Sequence, residues 1–237
     1  MKIEEHYNLA KDNLNGRLFA PYQREGVLWM LTMENQESGP KGGFLCDEMG
    51  LGKTVQVVST MLGNFQKSTL IIVPKSIITQ WVNEIAKFAP QMSVHVFDGP
   101  DRKLKEADVV IMPYSLLSTH EDTPIHKKNW DRVILDEAHE IRNKKSKLFK
   151  SVYRINSAIK WIVTGTPVFN SMEDFVSLCH FLGIDKALVQ GMTNKIKDIY
   201  ILRRTKDDLA KINERLRLPN CYFENVELDM FPDERQL

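Results

Sequence analysis

The chain has 237 residues, of which 43% are hydrophobic and 27% are charged, and this composition is typical of a globular domain and argues against a disordered or fibrous chain. Lys and Arg total 32 against 31 Asp and Glu, giving a net charge of +1. The whole chain therefore has no electrostatic signature of nucleic-acid binding, and any basic site has to be a local patch.

Cysteine usage and hydropathy indicate the cellular compartment in which the protein acts. Cys46, Cys179 and Cys221 are scattered and form no Cys-x-x-Cys pair, which favours a reducing intracellular environment. No apolar run approaches the ~20 residues needed to span a bilayer, and the charged start at residues 1–5 lacks a signal-peptide core. We expect an intracellular protein that is not secreted and has no membrane partner.

Short apolar runs rich in β-branched residues alternate with helical patterns along the chain. The runs lack polar alternation, so the predicted strands are covered on both faces, as in parallel sheets. The order predicts the α/β class, with a mainly parallel sheet and helices on both faces. The predicted strands are 43–46, 69–73, 94–97, 109–112, 132–135 and 161–163, and the predicted helices are 23–33, 54–62, 77–88 and 146–155.

The pattern changes after Pro167. Residues 172–182 predict an apolar helix, and residues 185–218 are charged, helical in pattern and without obvious strands. Residues 120–129 have the composition of a loop. We predict one domain over 1–218, including a helical appendage from about 185, and a linker over 219–237.

A phosphate-binding loop is indicated by the sequence DEMGLGKT, which follows a predicted strand and precedes an apolar helix. Lys53 is expected to reach the β- and γ-phosphates, and the Thr54 hydroxyl to ligate Mg²⁺. The general pattern has Gly where this chain has Asp47, so the match is incomplete, and a glycine-rich turn beside an exposed lysine is the alternative. The candidate ATP-binding residues here are Asp47, Glu48, Met49, Gly50, Leu51, Gly52, Lys53 and Thr54.

Two carboxylates follow the predicted strand 132–135, at the end of a strand where open α/β folds bind ligands. Asp136 is expected to hold Mg²⁺ through water, and Glu137 to orient and deprotonate the attacking water. Together with Lys53 they form the predicted catalytic set for hydrolysis of a γ-phosphate. An acidic turn is common after a strand, but a phosphate loop upstream favours the functional reading. His139 is a candidate coupling residue, or a hydrogen-bonded surface histidine.

With these two motifs the chain resembles the superfamily-two helicase-like ATPases, specifically the Swi/Snf-type DNA translocases that include chromatin remodellers. In that family the phosphate loop reads DEMGLGKT, so Asp47 is what the resemblance predicts. The resemblance covers nearly the whole chain. It implies an N-terminal RecA-like P-loop NTPase lobe that uses ATP and Mg²⁺.

Further segments resemble family motifs in the same order, and the resemblance assigns their roles. They comprise an adenine-reading residue, segments that track the phosphodiester backbone, and a segment that couples the ATP state to lobe movement. The matched residues are Gln23 for adenine; Lys75, Ser76, Tyr114 and Ser115 for nucleic-acid contact; and Thr164, Gly165 and Thr166 for coupling. The tyrosine, serine and threonine hydroxyls suit phosphate or carboxylate partners.

Three other features carry weaker signals. Trp81 has helical spacing with Ile85 and Phe88, so it is predicted to be a core residue and not a base-stacking one. Residues 201–206 match the family's Leu-Arg-Arg-Thr-Lys signature. The densest basic cluster is either a solvated face or close to nucleic acid, and it consists of Arg142, Lys144, Lys145 and Lys147.

The resemblance implies the ATP-binding lobe of a double-stranded DNA translocase that acts in chromatin remodelling, transcription or repair, in the nucleus. Its partners would be DNA, the second RecA-like lobe and chromatin or transcription proteins. In the family the second lobe supplies arginines worth ~10³–10⁵ in rate, so we expect the lone lobe to bind ATP with little turnover. The chain is either a domain excised from a longer protein or a naturally short protein. Because the chain stops inside a family motif, we expect the first.

Other functions stay open as well. A strand-separating helicase acting on DNA or RNA belongs to the same superfamily. A non-catalytic module could use ATP only to set its shape while it binds nucleic acid. A small-molecule kinase is disfavoured, because no acceptor-binding lid is evident and the coupling segment would have no role.

Overall fold

The computed structural model describes residues 1–18, 20–99, 103–119, 123–141, 144–165 and 171–210. The chain forms two compact units, 1–204 and 205–237. The second unit is described only for 205–210, where Lys206–Ala210 form a helix. The predicted domain boundary at 218/219 lies outside the described residues.

A seven-stranded sheet organises the first unit, and every paired strand in it is parallel. The strand order is β3-β4-β2-β5-β6-β1-β7. The predicted α/β class with a parallel sheet is confirmed. The strands are β1 Lys41–Leu45, β2 Thr69–Val73, β3 Val94–Val96, β4 Val109–Pro113, β5 Trp130–Asp136, β6 Ser157–Val163 and β7 Ile201–Leu202.

Helices connect the strands and cover the sheet. Strands β2 and β4 are buried along their whole length, so both of their faces are covered, as their continuous apolar sequences require. None of the described helices is long and apolar enough to cross a membrane. The helices are α1 Ile3–Asn13, α2 Pro21–Asn35, α3 Lys53–Gly63, α4 Ile78–Phe88, α5 Tyr114–Thr119, α6 Pro124–Lys127, α7 Lys147–Tyr153, α8 Met172–Phe181, α9 Lys186–Gly191, α10 Thr193–Tyr200 and α11 Lys206–Ala210; Lys75–Ile77 and Ala138–Ile141 form 3-10 turns.

The structure departs from the predicted elements at several points, and helix α5 is one element that was not predicted. Helix α1 was not predicted, and it packs on α2 and α3. The expected loop 120–129 contains the one-turn helix α6, which a Thr123–His126 capping box begins; residues 120–122 lie outside the described part. The prediction that no strand follows residue 185 is wrong, because β7 pairs with β1.

A buried ion pair joins the helices to the middle of the sheet. Glu34 of α2 accepts hydrogen bonds from Arg132 Nε at 2.7 Å and Nη2 at 2.6 Å, from the Trp161 indole at 2.8 Å and from Asn64 Nδ2 at 2.7 Å. Arg132 also donates to the Asn64 carbonyl at 2.7 Å. Both charged side chains are almost fully buried, and their paired groups offset the cost of removing them from water.

Candidate nucleotide-binding site

The carboxyl ends of β1, β5 and β6 bring the predicted phosphate loop and the paired carboxylates to one edge of the sheet. Strand β6 lies between the other two strands. Hydrogen bonds continue the pairing past the strand ends. The Glu137 amide, just after β5, donates to the Val163 carbonyl of β6 at 2.9 Å, and the Thr164 amide, just after β6, donates to the Leu45 carbonyl of β1 at 3.1 Å. Segments far apart in sequence therefore meet where ligands bind in open α/β sheets.

Glycines shape the phosphate loop between β1 and α3. Gly50 and Gly52 adopt left-handed backbone angles, with φ of 89° and 77°. A side chain at Gly52 would place its Cβ 2.5 Å from Nε2 of Gln23. Gln23 is itself buried and donates from Nε2 to the Leu51 carbonyl at 3.2 Å. The residue predicted to read adenine thus also supports the loop.

Lys53 begins helix α3 and folds its side chain back over the loop. Its Nζ donates to the Asp47 carbonyl at 2.8 Å. Burial lowers the pKa of Lys53, and the nearby Asp136 and Glu137 carboxylates oppose that shift. A cationic group held by neutral carbonyls at a helix N-terminus has the chemistry needed to receive an anion.

The start of the predicted coupling segment lies against the phosphate loop. A Cβ on Gly165 would lie 3.1 Å from Lys53 Nζ and 3.4 Å from the Met49 amide nitrogen. A side chain at this position would require Lys53 Nζ to move by a few tenths of an ångström. Thr166 lies outside the described residues.

Asp136 ends strand β5 and is held from three directions. The Trp81 indole donates to its Oδ2 at 2.7 Å, the Glu137 amide donates to its Oδ1 at 3.0 Å, and the Tyr114 hydroxyl donates to its main-chain carbonyl at 2.9 Å. Burial raises the pKa of Asp136 from 3.8 to about 6, while the Trp81 hydrogen bond and Lys53 act in the opposite direction. A cation bound beside this carboxylate would favour its charged form.

Glu137 adopts an unusual backbone conformation beside Asp136. Its φ of 51° lies in the left-handed region, where non-glycine residues are uncommon and which recurs at functional sites. The Thr164 hydroxyl donates to Glu137 Oε2 at 3.3 Å. One predicted coupling residue therefore contacts the predicted general base. His139 lies in the 3-10 turn that follows, and its side chain is outside the described part.

These groups surround a cavity of about 510 Å³. No group of three or more metal-ligating His, Cys, Asp or Glu side chains occurs among the residues that the structure describes. The Asp136 carboxylate that lines this cavity suits Mg²⁺, which is usually bound by one or two carboxylates together with phosphate oxygens and water. The residues lining the cavity include Gln23, Met49, Gly50, Gly52, Lys53, Thr54, Asp136 and Glu137.

Asp47 differs from its predicted role, because its side chain faces away from this cavity. Its carboxylate is fully buried and accepts hydrogen bonds from Arg204 Nε at 2.9 Å, from Arg204 Nη2 and from Gln56 Nε2 at 3.1 Å. Arg204 also donates to the main-chain carbonyl of Tyr22. The Leu51 side chain is likewise in the core. Both residues contribute to the loop through their main chains.

The predicted nucleic-acid residues lie near the ends of β2 and β4. Lys75 and Ser76 are exposed in the 3-10 turn after β2, and Lys75 pairs with Asp98 at 3.0 Å. Ser115 is exposed, and with Lys75 it lines a concave surface of about 280 Å³. Tyr114 lines the same concavity, but only 3% of it is exposed. The prediction that its hydroxyl contacts nucleic acid needs correction, because that hydroxyl binds the Asp136 carbonyl.

Trp81 and Arg204 are site residues that the sequence reasoning missed. Trp81 was predicted to be a core residue, and it is buried, but its indole N–H is directed at Asp136. Arg204 was recognised only as part of a signature. The signal that could have revealed Arg204 is Asp47, which stands where the general loop pattern has glycine. A buried carboxylate requires a partner, and a nearby arginine is a natural one. In the basic cluster, Lys144, Lys145 and Lys147 are exposed, and Arg142 lies outside the described residues.

The fold and the site together define an α/β domain with a phosphate loop at the carboxyl edge of a parallel sheet. The SNF2-related domain family matches residues 22–191. The chain belongs to this family, and the predicted Swi/Snf-type resemblance is confirmed.

Similar proteins come from distant organisms. The chain is 30% identical to the ISWI chromatin-remodeling complex ATPase ISW1 of Saccharomyces cerevisiae, over 90% of this chain and 20% of that protein. It is 32% identical to an uncharacterized ATP-dependent helicase of Mycoplasma pneumoniae, over 100% of this chain and 25% of that protein. The chain thus spans a quarter or less of the length of these two relatives.

A solved structure shares the fold. The SWI2/SNF2 ATPase core of Sulfolobus solfataricus, in complex with double-stranded DNA, matches with a TM-score of 0.72 and 31% identity. The match covers 85% of this chain and 47% of that one. The predicted RecA-like class is therefore confirmed.

Proposed function

We propose that the chain is the ATP-binding lobe of a DNA-dependent ATPase that translocates along double-stranded DNA and hydrolyses ATP to ADP and phosphate. The observation that carries the proposal is the convergence of Lys53, Asp136 and Glu137 on one cavity. Membership of a family whose members are named ATPases and ATP-dependent helicases supports it.

Each residue of the cavity has a distinct role in this proposal. Lys53 and the amides at the start of α3 bind the β- and γ-phosphates, and Gln23 contacts the base. Thr54 and Asp136 hold Mg²⁺, which when bound neutralises charge on the phosphate oxygens. Glu137 accepts the proton of the attacking water, and the Thr164 hydroxyl fixes the orientation of its carboxylate.

The remaining catalytic charge comes from a second RecA-like lobe in this proposal. The match to only 47% of the Sulfolobus ATPase core supports a further half of similar size. If that half supplies arginines worth ~10³–10⁵ in rate, the transition state in the lone lobe is less stable by roughly 4–7 kcal/mol. We expect this chain to bind ATP and to hydrolyse it very slowly.

Double-stranded DNA is the proposed nucleic-acid partner. The double-stranded DNA bound in the Sulfolobus structure supports that partner. Lys75, Ser76 and Ser115 are exposed and polar on one face, as phosphate contacts require. The name of the yeast relative supports chromatin partners and nuclear action for the full-length protein.

A strand-separating helicase is the second candidate. The Mycoplasma relative is named an ATP-dependent helicase, which is the observation that favours it. Unwinding of a tailed duplex by the full-length protein, in the presence of ATP, would select this candidate. Displacement of a triplex-forming strand without unwinding would select the translocase.

The first test is nucleotide binding by this chain. A fluorescent ATP analogue with Mg²⁺ should bind the wild type, and Lys53→Ala should weaken binding roughly 10- to 100-fold because charge-assisted hydrogen bonds are lost. Lys67→Ala is the matched control, since Lys67 is exposed in the segment between α3 and β2. Equal binding by wild type and Lys53→Ala would contradict the assignment of the site.

A further inference from the structure

Two hydrogen bonds reach Asp136 from the two segments that form the proposed nucleic-acid face. Trp81 lies on α4, which follows the exposed 3-10 turn holding Lys75 and Ser76. Tyr114 begins α5 and directly precedes the exposed Ser115. Each proposed DNA-contacting segment thus lies next to a residue whose side chain hydrogen-bonds to Asp136, the proposed Mg²⁺ ligand.

The Trp81 contact fixes one oxygen of the Asp136 carboxylate. The indole nitrogen lies 2.7 Å from Oδ2, and only 2% of Trp81 is exposed. An indole has one N–H and no other polar atom, so this bond fixes the direction of the ring as well. The other oxygen, Oδ1, accepts the Glu137 amide at 3.0 Å. The carboxylate therefore cannot rotate freely.

The Tyr114 contact fixes the main chain of the same residue. Its hydroxyl lies 2.9 Å from the Asp136 carbonyl. Tyr114 also lines the concave surface beside Lys75 and Ser115. A strand that presses on this surface therefore meets, directly beneath it, a ring that holds Asp136.

We propose that Trp81 and Tyr114 are positioning residues that couple occupation of the concave surface by a DNA backbone to the placement of Asp136 at the nucleotide cavity. This inference rests on the proposed function. Close packing would transmit this coupling, because a buried group cannot move without displacing its neighbours. The route differs from one through Thr164 and Gly165, which lie against Glu137 and Lys53 instead.

Coupling of this kind is reciprocal, so binding equilibria alone can measure it. The dissociation constant of a short DNA duplex is measured for this chain with and without Mg²⁺ and a non-hydrolysable ATP analogue. The ratio of the two constants is the coupling factor, for which about 5- to 150-fold is typical of linked sites. Chelation of Mg²⁺ with EDTA should bring the factor close to one.

Tyr114→Phe removes only the hydroxyl, and Trp81→Phe removes the indole N–H. Each should reduce the coupling factor towards one while still binding the nucleotide and the duplex separately, because the factor is a ratio of two dissociation constants measured on the same variant. Tyr200→Phe and Trp130→Phe are matched controls, because Tyr200 lies at the end of α10 and the Trp130 indole donates to the Ile125 carbonyl.

A second readout uses the wild-type chain. Its four tryptophans give separate indole N–H signals in nuclear magnetic resonance spectra, and Trp81→Phe identifies one of them. Duplex DNA without nucleotide should shift the Trp81 signal. The signals of Trp130 and Trp161, which donate to Ile125 and Glu34, should stay in place.

The outcomes separate this inference from the function on which it rests. A wild type that binds neither ligand contradicts the proposed function and removes the basis of the inference. A wild type that binds both, with a coupling factor that both variants leave unchanged or a Trp81 signal that DNA does not move, overturns the inference alone.

Discussion

The conformation of Glu137 matters at the scale of single residues. A left-handed backbone in a non-glycine residue costs roughly 1–3 kcal/mol, and here the neighbouring hydrogen bonds to Val163 and Thr164 maintain it. The turn directs the Glu137 side chain into the cavity beside Asp136. This strained turn supports the proposed role of Glu137 as the general base.

Replacement of Glu137 by Gln should separate binding from chemistry. In the full-length protein we expect the DNA-stimulated kcat to fall by about 10²–10⁴, because an amide cannot accept the proton. Affinity of this chain for the Mg²⁺-bound ATP analogue should stay nearly unchanged. Phosphate release and equilibrium titration measure the two quantities, and the exposed Glu106→Gln is the control. Unimpaired turnover would exclude Glu137 as the base.

At the scale of elements, β7 depends on the phosphate loop. Two residues cannot form a stable strand alone, and β7 is held by a Cys46 amide to Leu202 carbonyl bond of 2.7 Å and by the Asp47–Arg204 ion pair. The aspartate that distinguishes this loop from the general pattern therefore has a structural partner 157 residues away.

Loss of Arg204 should destabilise the first unit strongly. Arg204→Ala leaves the buried Asp47 carboxylate unpaired, which costs about 3–5 kcal/mol. The double variant Asp47→Ala with Arg204→Ala should cost less than the sum of the two single changes, because neither charge remains buried alone. Urea denaturation measures each free energy of unfolding. The exposed neighbour Arg203→Ala should change it by less than about 0.5 kcal/mol, and an equally mild Arg204→Ala would contradict this explanation.

At the scale of the whole molecule, Glu34 connects α2 to β5 and β6 and to the residue after α3. All four hydrogen bonds to its carboxylate come from other elements. The pair with Arg132 joins the helices to the sheet, and neither residue lines the nucleotide cavity. Its effect should therefore be on stability and not on the affinity for nucleotide.

Glu34→Gln should lower the melting temperature markedly. The buried Arg132 charge loses its counter-ion at a cost of about 3–5 kcal/mol, and at roughly 2–4 °C per kcal/mol the shift is about 6–20 °C. Calorimetry with the exposed Glu37→Gln as the control measures the shift. A double change of Glu34→Leu with Arg132→Met should restore only part of the stability, because apolar residues replace both charges but the Trp161 and Asn64 donors lose their acceptor. A drop as small as that of the control would contradict the role of the pair.

The sequence by itself determined six of the seven sheet strands, the phosphate loop and the paired carboxylates, because each depends on neighbouring residues. Apolar runs specify buried strands, and a glycine-rich loop before a helix specifies an anion-binding turn. The resemblance to a family added the order of motifs, and with it the family itself.

Only the tertiary structure decided which distant groups touch. Strand β7, the partner of Asp47 and the hydrogen bonds from Trp81 and Tyr114 to Asp136 join residues between 22 and 157 positions apart. Helical spacing predicted that Trp81 is buried, but burial does not say which atom its N–H will face. The choice of partner comes from packing, because most buried polar groups are hydrogen-bonded and the fold determines which partners are within reach.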